Sequence, residues 1–315
     1  MAAAVPGTLR YILKRILCGK ISCAAFIIVV LYLLLSCGME IYAYHCAYSG
    51  IDPIYAKGNM SMNFLPPSAE HWFGTDYQGR DVFWRSLAGA GTAVKIGMSA
   101  SIISAVIGVI LGMLAGYFGK WVDDLVVWIY STFASMPTLL FILAFALLVS
   151  KGFLFPPAAE LLKKFANVFH ADMGMIAVYL GIGLTGWVGL CQVVRAETMK
   201  LRETGYVLAA KSMGFNPFKI IFRHIMPNLF HLVIIYFTMR FAYSVMTEVI
   251  VSYLGLGVES APSWGVMISD GQEGLWRGLW WEVTAATALM FFMVLPLHLL
   301  GDYLRDILDP RLGEN

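Results

Sequence analysis

Between positions 21 and 39 the chain carries no charged residue, and apolar runs of similar length recur at 96–118, 125–148, 173–194, 229–253 and 283–300. A run of this length fits the hydrocarbon core of a bilayer, where no water is present to satisfy backbone N–H and C=O groups. Only helices, or a closed barrel, can span such a medium, and runs of about 20 residues are helical rather than strand lengths. The pattern therefore predicts an all-α polytopic membrane protein with six transmembrane helices. Composition agrees, since 59% of residues are hydrophobic and 13% charged, well outside the soluble globular range. The net charge of +2 comes from dispersed Lys and Arg, which excludes a nucleic-acid partner.

Orientation follows from the basic residues. Arg10, Lys14, Arg15 and Lys20 precede the first run, and no small-x-small cleavage site follows it. An uncleaved first span with a cytoplasmic N-terminus is expected. The divisions are then a cytoplasmic segment at 1–20, a first span at 21–39, an extracytoplasmic loop at 40–94, a five-helix core at 95–312 and an end at 313–315. An even number of spans places the C-terminus in the cytoplasm as well.

The segment at 195–228 falls on the same side. It holds Arg195, Lys200, Arg202, Lys211, Lys219 and Arg223 against Glu197 and Glu203, the positive-inside pattern. Within it, 201–228 reads as two short helices joined at Gly214. Ala209 and Ala210 give the first a small-residue face, and Asn216 with Pro217 caps and starts the second. A small face on a charged helix beside a membrane suggests a surface gripped by another protein.

Elsewhere the signals are mostly structural. The turn formers of 71–81 lead into Val82, Phe83, Trp84 and Leu87, read as an interfacial amphipathic helix. His71, Asp76 and Asp81 there read as turn residues rather than metal ligands. Gly108, Gly112 and Gly116 recur every fourth position, so the second span should lie against a neighbouring helix. Pro137 marks a kink or a helix boundary, and 159–169 reads as an amphipathic surface helix. Trp276, Trp280 and Trp281 read as an aromatic belt. Asp302, Arg305, Asp306 and Asp309 fall on one side of a short helix, as a salt-bridged collar. The cysteines at 18, 23, 37, 46 and 191 lack paired spacing and are expected as buried thiols.

Two residues break the apolar rule. Arg240 and Glu248 lie in the fifth span, where a charge facing lipid costs at least ~2.5 kcal/mol. Eight positions apart, they are too far separated along a helix to pair. Each should face the bundle interior, a structural partner or a water-filled path. No phosphate-binding GxxxxGK loop, H-E-x-x-H or Ser, His and Asp constellation is present, so a conduit energised from elsewhere fits better than an enzyme.

From about 71 to 311 the chain resembles the inner-membrane permeases of ABC importers, in particular the second permease of the dipeptide, oligopeptide and nickel branch. The resemblance rests on HWFGTD at 71–76 with GRD at 79–81, AGYFG at 115–119, and Arg202, Glu203, Tyr206, Val207, Ala209, Ala210 and Gly214 followed by HIMPN at 224–228. Glu248, SYLGLG at 252–257, PSWG at 262–265 and GDYLRDILDPRL at 301–312 extend it. It implies a coupling helix between the fourth and fifth spans, with Glu203, Tyr206, Ala209, Ala210, Gly214 and Pro227 as the residues that dock an ATPase. It implies as partners a second homologous permease, two ATPase subunits, an extracytoplasmic binding protein and membrane lipid. ATP and Mg would sit on the ATPase subunits, and no cofactor or metal on this chain. The cargo implied is a dipeptide or oligopeptide, with nickel or another small solute as the alternative; outside the family, Arg240 and Glu248 would suit an ion-coupled secondary transporter. The chain departs from the family pattern at Leu208, where an acidic residue opens the general motif, at Gly91-Thr92, where Arg and Ser are usual, and at Arg240.

Overall fold

The structure, a computed structural model, describes residues 15–152, 173–257 and 261–308, together with 157, 160, 162 and 164. The expected surface helix at 159–169 lies largely outside the described residues. Among the described residues ten helices carry the fold: α1 Lys20–Ser49, α2 Val82–Phe118, α3 Lys120–Ser135, α4 Thr138–Ser150, α5 Met173–Arg202, α6 Gly205–Ser212, α7 Pro217–Ile220, α8 Met226–Tyr253, α9 Trp264–Leu275 and α10 Trp281–Leu308. Five are long and apolar enough to cross a membrane, α7 and α8 counting as one continuous helix. The pair α3 and α4, bent by 90° at Met136 and Pro137, adds a sixth if it forms one broken span. Pro137 therefore marks a helix boundary rather than a mild kink, its missing N–H ending the ladder of α3.

Helix α2 is central. Asp81 caps it, accepting from the Phe83 and Trp84 amides at 2.9 and 3.3 Å while its other oxygen holds the His71 ring at 2.8 Å. The residues read as an interfacial helix are thus the first turns of a 37-residue helix that continues without a break. Its glycine stripe faces α5. A Cβ at Gly112 would sit 2.8 Å from the Cys191 carbonyl oxygen, and one at Gly108 2.9 Å from that of Trp187. Only glycine lets the two backbones approach this closely, which agrees with the expected burial of the stripe.

Helix α1 runs on to Ser49, well past the uncharged stretch that ends at 39. Glu40 is accommodated because Lys95 of α2 meets it at 2.5 Å; a charge paired between packed helices does not end a helix as a charge facing lipid would. Helix α10 likewise passes through Pro296 without interruption. Asp302, Arg305 and Asp306 lie exposed on it and form no ion pair among the described residues, so the expected collar is not closed there; Asp309 lies outside the described residues.

One end of the bundle is locked by a buried ion network. The side chain of Asp76 is fully buried and accepts from Arg80 at 2.6 Å and from Arg85 at 2.8 Å. Arg85 also reaches Glu282 of α10 at 3.0 Å and Asp270 of α9 at 3.1 Å. Indole N–H groups reinforce it, Trp281 donating to the Thr75 carbonyl at 3.0 Å and Trp264 to that of Ser86 at 2.9 Å. Trp281 is accordingly buried, and of the expected belt only Trp276 and Trp280 are exposed. The cysteines are free; Cys46 and Cys191 are buried as expected, whereas Cys18, ahead of α1, and Cys37, on it, are exposed.

Candidate functional site

The polar stretch at 201–228 folds as two short helices, α6 and α7. Gly214, between them, has φ +77°, a left-handed conformation that glycine adopts without strain. Asn216 then caps α7 by accepting from the Phe218 amide at 3.0 Å, with Pro217 at the first helical position. Residues Ile221–Ile225 form a π-helical turn leading into α8. Pro227 follows it and has no N–H to give, so widening the turn lets neighbouring carbonyls find other donors.

One face of this pair is anchored and the other is free. Val207, Ala210, Ile220, Ile221 and Ile225 are buried in a cluster with Val109 and Met113 of α2 and Leu190 and Val194 of α5. Tyr206, Ala209, Met213, Gly214 and Phe218 project outward. Of the six residues assigned by resemblance to docking, Glu203, Tyr206, Ala209, Gly214 and Pro227 are exposed, and Ala210 at 1% packs inward. The Tyr206 hydroxyl accepts from the Asn228 amide at 3.2 Å, which fixes the ring of α6 against the start of α8. Arg202, the last residue of α5, donates to the Gly116 and Tyr117 carbonyls at 3.2 and 3.3 Å. It thereby satisfies two carbonyls that the C-terminal turn of α2 leaves unpaired, and ties that turn to the root of α6.

The two charges of α8 separate into different surroundings. Glu248 is 1% exposed; its Oε1 accepts from Ser252 at 2.7 Å and from Ser263 at 2.6 Å, while Oε2 has no partner among the described residues. Since Ser263 also caps α9, accepting from the Gly265 amide, Glu248 fastens α8 to the start of α9. Arg240 instead lines a cavity of about 380 Å³ with Ser101, Ser104, Thr138, Thr185 and His298. Among the described residues its hydrogen bond goes to the Ile182 carbonyl at 2.8 Å. The hydroxyls around it escaped the sequence reading, because single Ser and Thr residues in an apolar span carry no periodic signal. Among the described residues, no group of three or more His, Cys, Asp or Glu is placed to hold a metal ion.

Residues 108–314 match the family of the binding-protein-dependent transport system inner membrane component. The chain belongs to this family. Its permeases are transport components without catalytic activity of their own, and the chain is a multi-pass protein of the bacterial inner membrane. It is 35% identical over 249 residues to the dipeptide transport system permease protein DppC of Bacillus subtilis, covering 79% of this chain and 71% of that protein. The oligopeptide transport system permease protein OppC of the same organism is 30% identical, covering 93% and 87%. The glutathione transport system permease protein GsiD of Pectobacterium atrosepticum is 32% identical, covering 78% and 74%. The fold is similar to a chain of the MetNI methionine ABC transporter in an inward-facing conformation, with a TM-score of 0.51 at 16% identity, over 72% of this chain and 97% of that one. The match of family and fold agrees with the permease resemblance that the sequence motifs carry.

Proposed function

We propose that this chain is one of two permease subunits of an ATP-driven, binding-protein-dependent importer of dipeptides or oligopeptides. In this reading six spans cross the membrane, α3 and α4 forming one broken span, with both termini cytoplasmic. Helix α6 is the coupling helix, and a separate ATPase grips Glu203, Tyr206, Ala209 and Gly214. Ala210 serves the same element from the other side, as part of its anchor. ATP and Mg are held by the ATPase subunits, and an extracytoplasmic binding protein delivers the cargo. The observation that carries the reading is the two-faced helix pair, anchored through Val207 and Ala210 and exposing Tyr206, Ala209 and Gly214. The peptide assignment is supported by the dipeptide and oligopeptide permeases among the relatives.

The coupling element is tested by Ala209→Trp, on the exposed face of α6 where no positive φ complicates the change. Insertion into the membrane is expected to be normal and co-purification of the ATPase lost. Gly214→Trp should do the same but adds backbone strain at φ +77°. A normal complex and normal uptake in Ala209→Trp would reject this surface as the dock. For the cargo, peptide-stimulated ATPase activity of the purified complex with its binding protein is expected; stimulation by Ni²⁺ or a sugar alone would reject peptides.

A further inference from the structure

The guanidinium of Arg240 is a cation in the fifth apolar span with no carboxylate among the described residues to meet it. Among the described residues it forms no ion pair, its Nε is buried without a hydrogen-bond partner, and no Asp or Glu lines its cavity. What it does have is one carbonyl, that of Ile182, and the ring of Tyr243 at 4.8 Å. The site is shaped for it: a Cβ at Gly186 would fall on the guanidinium, so glycine there leaves the space the head group occupies. The Ser104 and Thr185 hydroxyls donate to the Gly183 and Gly181 carbonyls, whereas the Ser101 hydroxyl has no partner among the described residues; a guanidinium held this way beside it is suited to receive an anion.

The surroundings extend the same sign. A second cavity of about 510 Å³ adjoins along α8, since Tyr236 and Met239 line both. Its charged lining is Lys200, Arg305 and Glu197, and Glu197 is already paired with Lys200 at 2.6 Å. The two neighbouring cavities thus carry Arg240 and Arg305 as cations that form no ion pair among the described residues.

We propose that Arg240 is a membrane-depth binding site for a carboxylate of the transported cargo, the guanidinium taking it while Ser and Thr hydroxyls of the cavity hold neighbouring polar groups. The proposal rests on the reading of this bundle as half of a peptide pathway, and gives that pathway a polarity: a cargo with a free carboxylate is held where its amide is not.

The test puts a cysteine at Thr138, which is exposed in this chain and lines the same cavity, in an assembled transporter whose five native cysteines are replaced by serine. Modification by an anionic sulfonate-bearing methanethiosulfonate is compared with that by a cationic trimethylammonium analogue. With Arg240 present, the anionic reagent is expected to be favoured about tenfold over its ratio at an exposed loop cysteine, a nearby unit charge being worth that much. Arg240→Gln should abolish the preference. Millimolar dialanine should slow the modification and dialaninamide should not. Absence of the preference, or its survival in Arg240→Gln, overturns the proposal, as it would if a carboxylate of the second permease already neutralised Arg240. Preference without protection by dialanine keeps the anion site and rejects the peptide reading instead. A preference present in phosphatidylcholine discs and lost in phosphatidylglycerol discs makes the occupant a net-anionic lipid headgroup, and likewise overturns it.

Discussion

Arg85 and Glu282 stand 197 positions apart in the chain and meet at 3.0 Å in a buried contact that joins the first turn of α2 to the first turn of α10. Asp76 and Asp270 share the same guanidinium. Arg85→Met removes the cation from three carboxylates at once, and breaking a buried pair from one side costs about 3–5 kcal/mol. A sharp fall in the thermal midpoint of the detergent-solubilised complex is expected. Glu282→Gln keeps an acceptor for Arg85 and should lose much less.

The contact between α2 and α5 depends on missing side chains. Gly112→Leu places atoms where the Cys191 carbonyl and Val194 already are, and overpacking of this kind costs about 1–3 kcal/mol or more. Thermal unfolding should register that loss. Gly205→Ala is the matched control, since a Cβ there meets nothing within 4 Å and its φ is not in the left-handed region. Alanine at this position should be neutral or stabilising by a few tenths of a kcal/mol.

Glu248 separates a structural fastening from an ion-coupling site. Both serine hydroxyls donate to Oε1, so Glu248→Gln, with its carbonyl in that place, preserves both bonds. Uptake and complex yield close to wild type are expected. Glu248→Ala takes the acceptor from the buried Ser263 hydroxyl, at about 1–3 kcal/mol, and should lower yield. Loss of uptake in Glu248→Gln with normal yield would instead point to a titrating carboxyl.

Asp81 performs two tasks with two oxygens, capping α2 and holding His71. Asp81→Ala should cost about 1–2 kcal/mol for the cap alone, and Asp81→Asn, which retains a capping oxygen, should recover most of it. Chemical denaturation or thermal shift of the complex distinguishes the two.

What could be read from the sequence were features whose cause is local. The spacing of Gly108, Gly112 and Gly116 declares a face that tolerates no side chain, whichever helix lies against it. Gly214, Asn216 and Pro217 specify their turn through φ, capping and a missing N–H, and the structure has that turn. Features set by a distant partner were not legible. Glu40 looked like the end of a membrane span because Lys95 lies 55 positions away, and Trp281 looked interfacial because nothing nearby announces that Thr75 will accept from it. Arg240 and Glu248 gave identical signals, a charge in an apolar run. Their different surroundings depend on Ile182 and Gly186 of α5 in one case and on Ser263 in the other.

Helix α2 is pinned at both ends, by the carboxylates around Arg85 at one and by Arg202 at the other. At 1.5 Å per residue its 37 residues make a rod of about 55 Å. A rod with free ends can dissipate a push by fraying its last turns; this one has no loose turn in which to do so. In the proposed coupling role, a displacement of α6 would meet Arg202 first and through it the Gly116 and Tyr117 carbonyls of α2. Over about 55 Å, one degree of tilt of such a rod would shift its far end, at the Arg85 cluster, by about 1 Å.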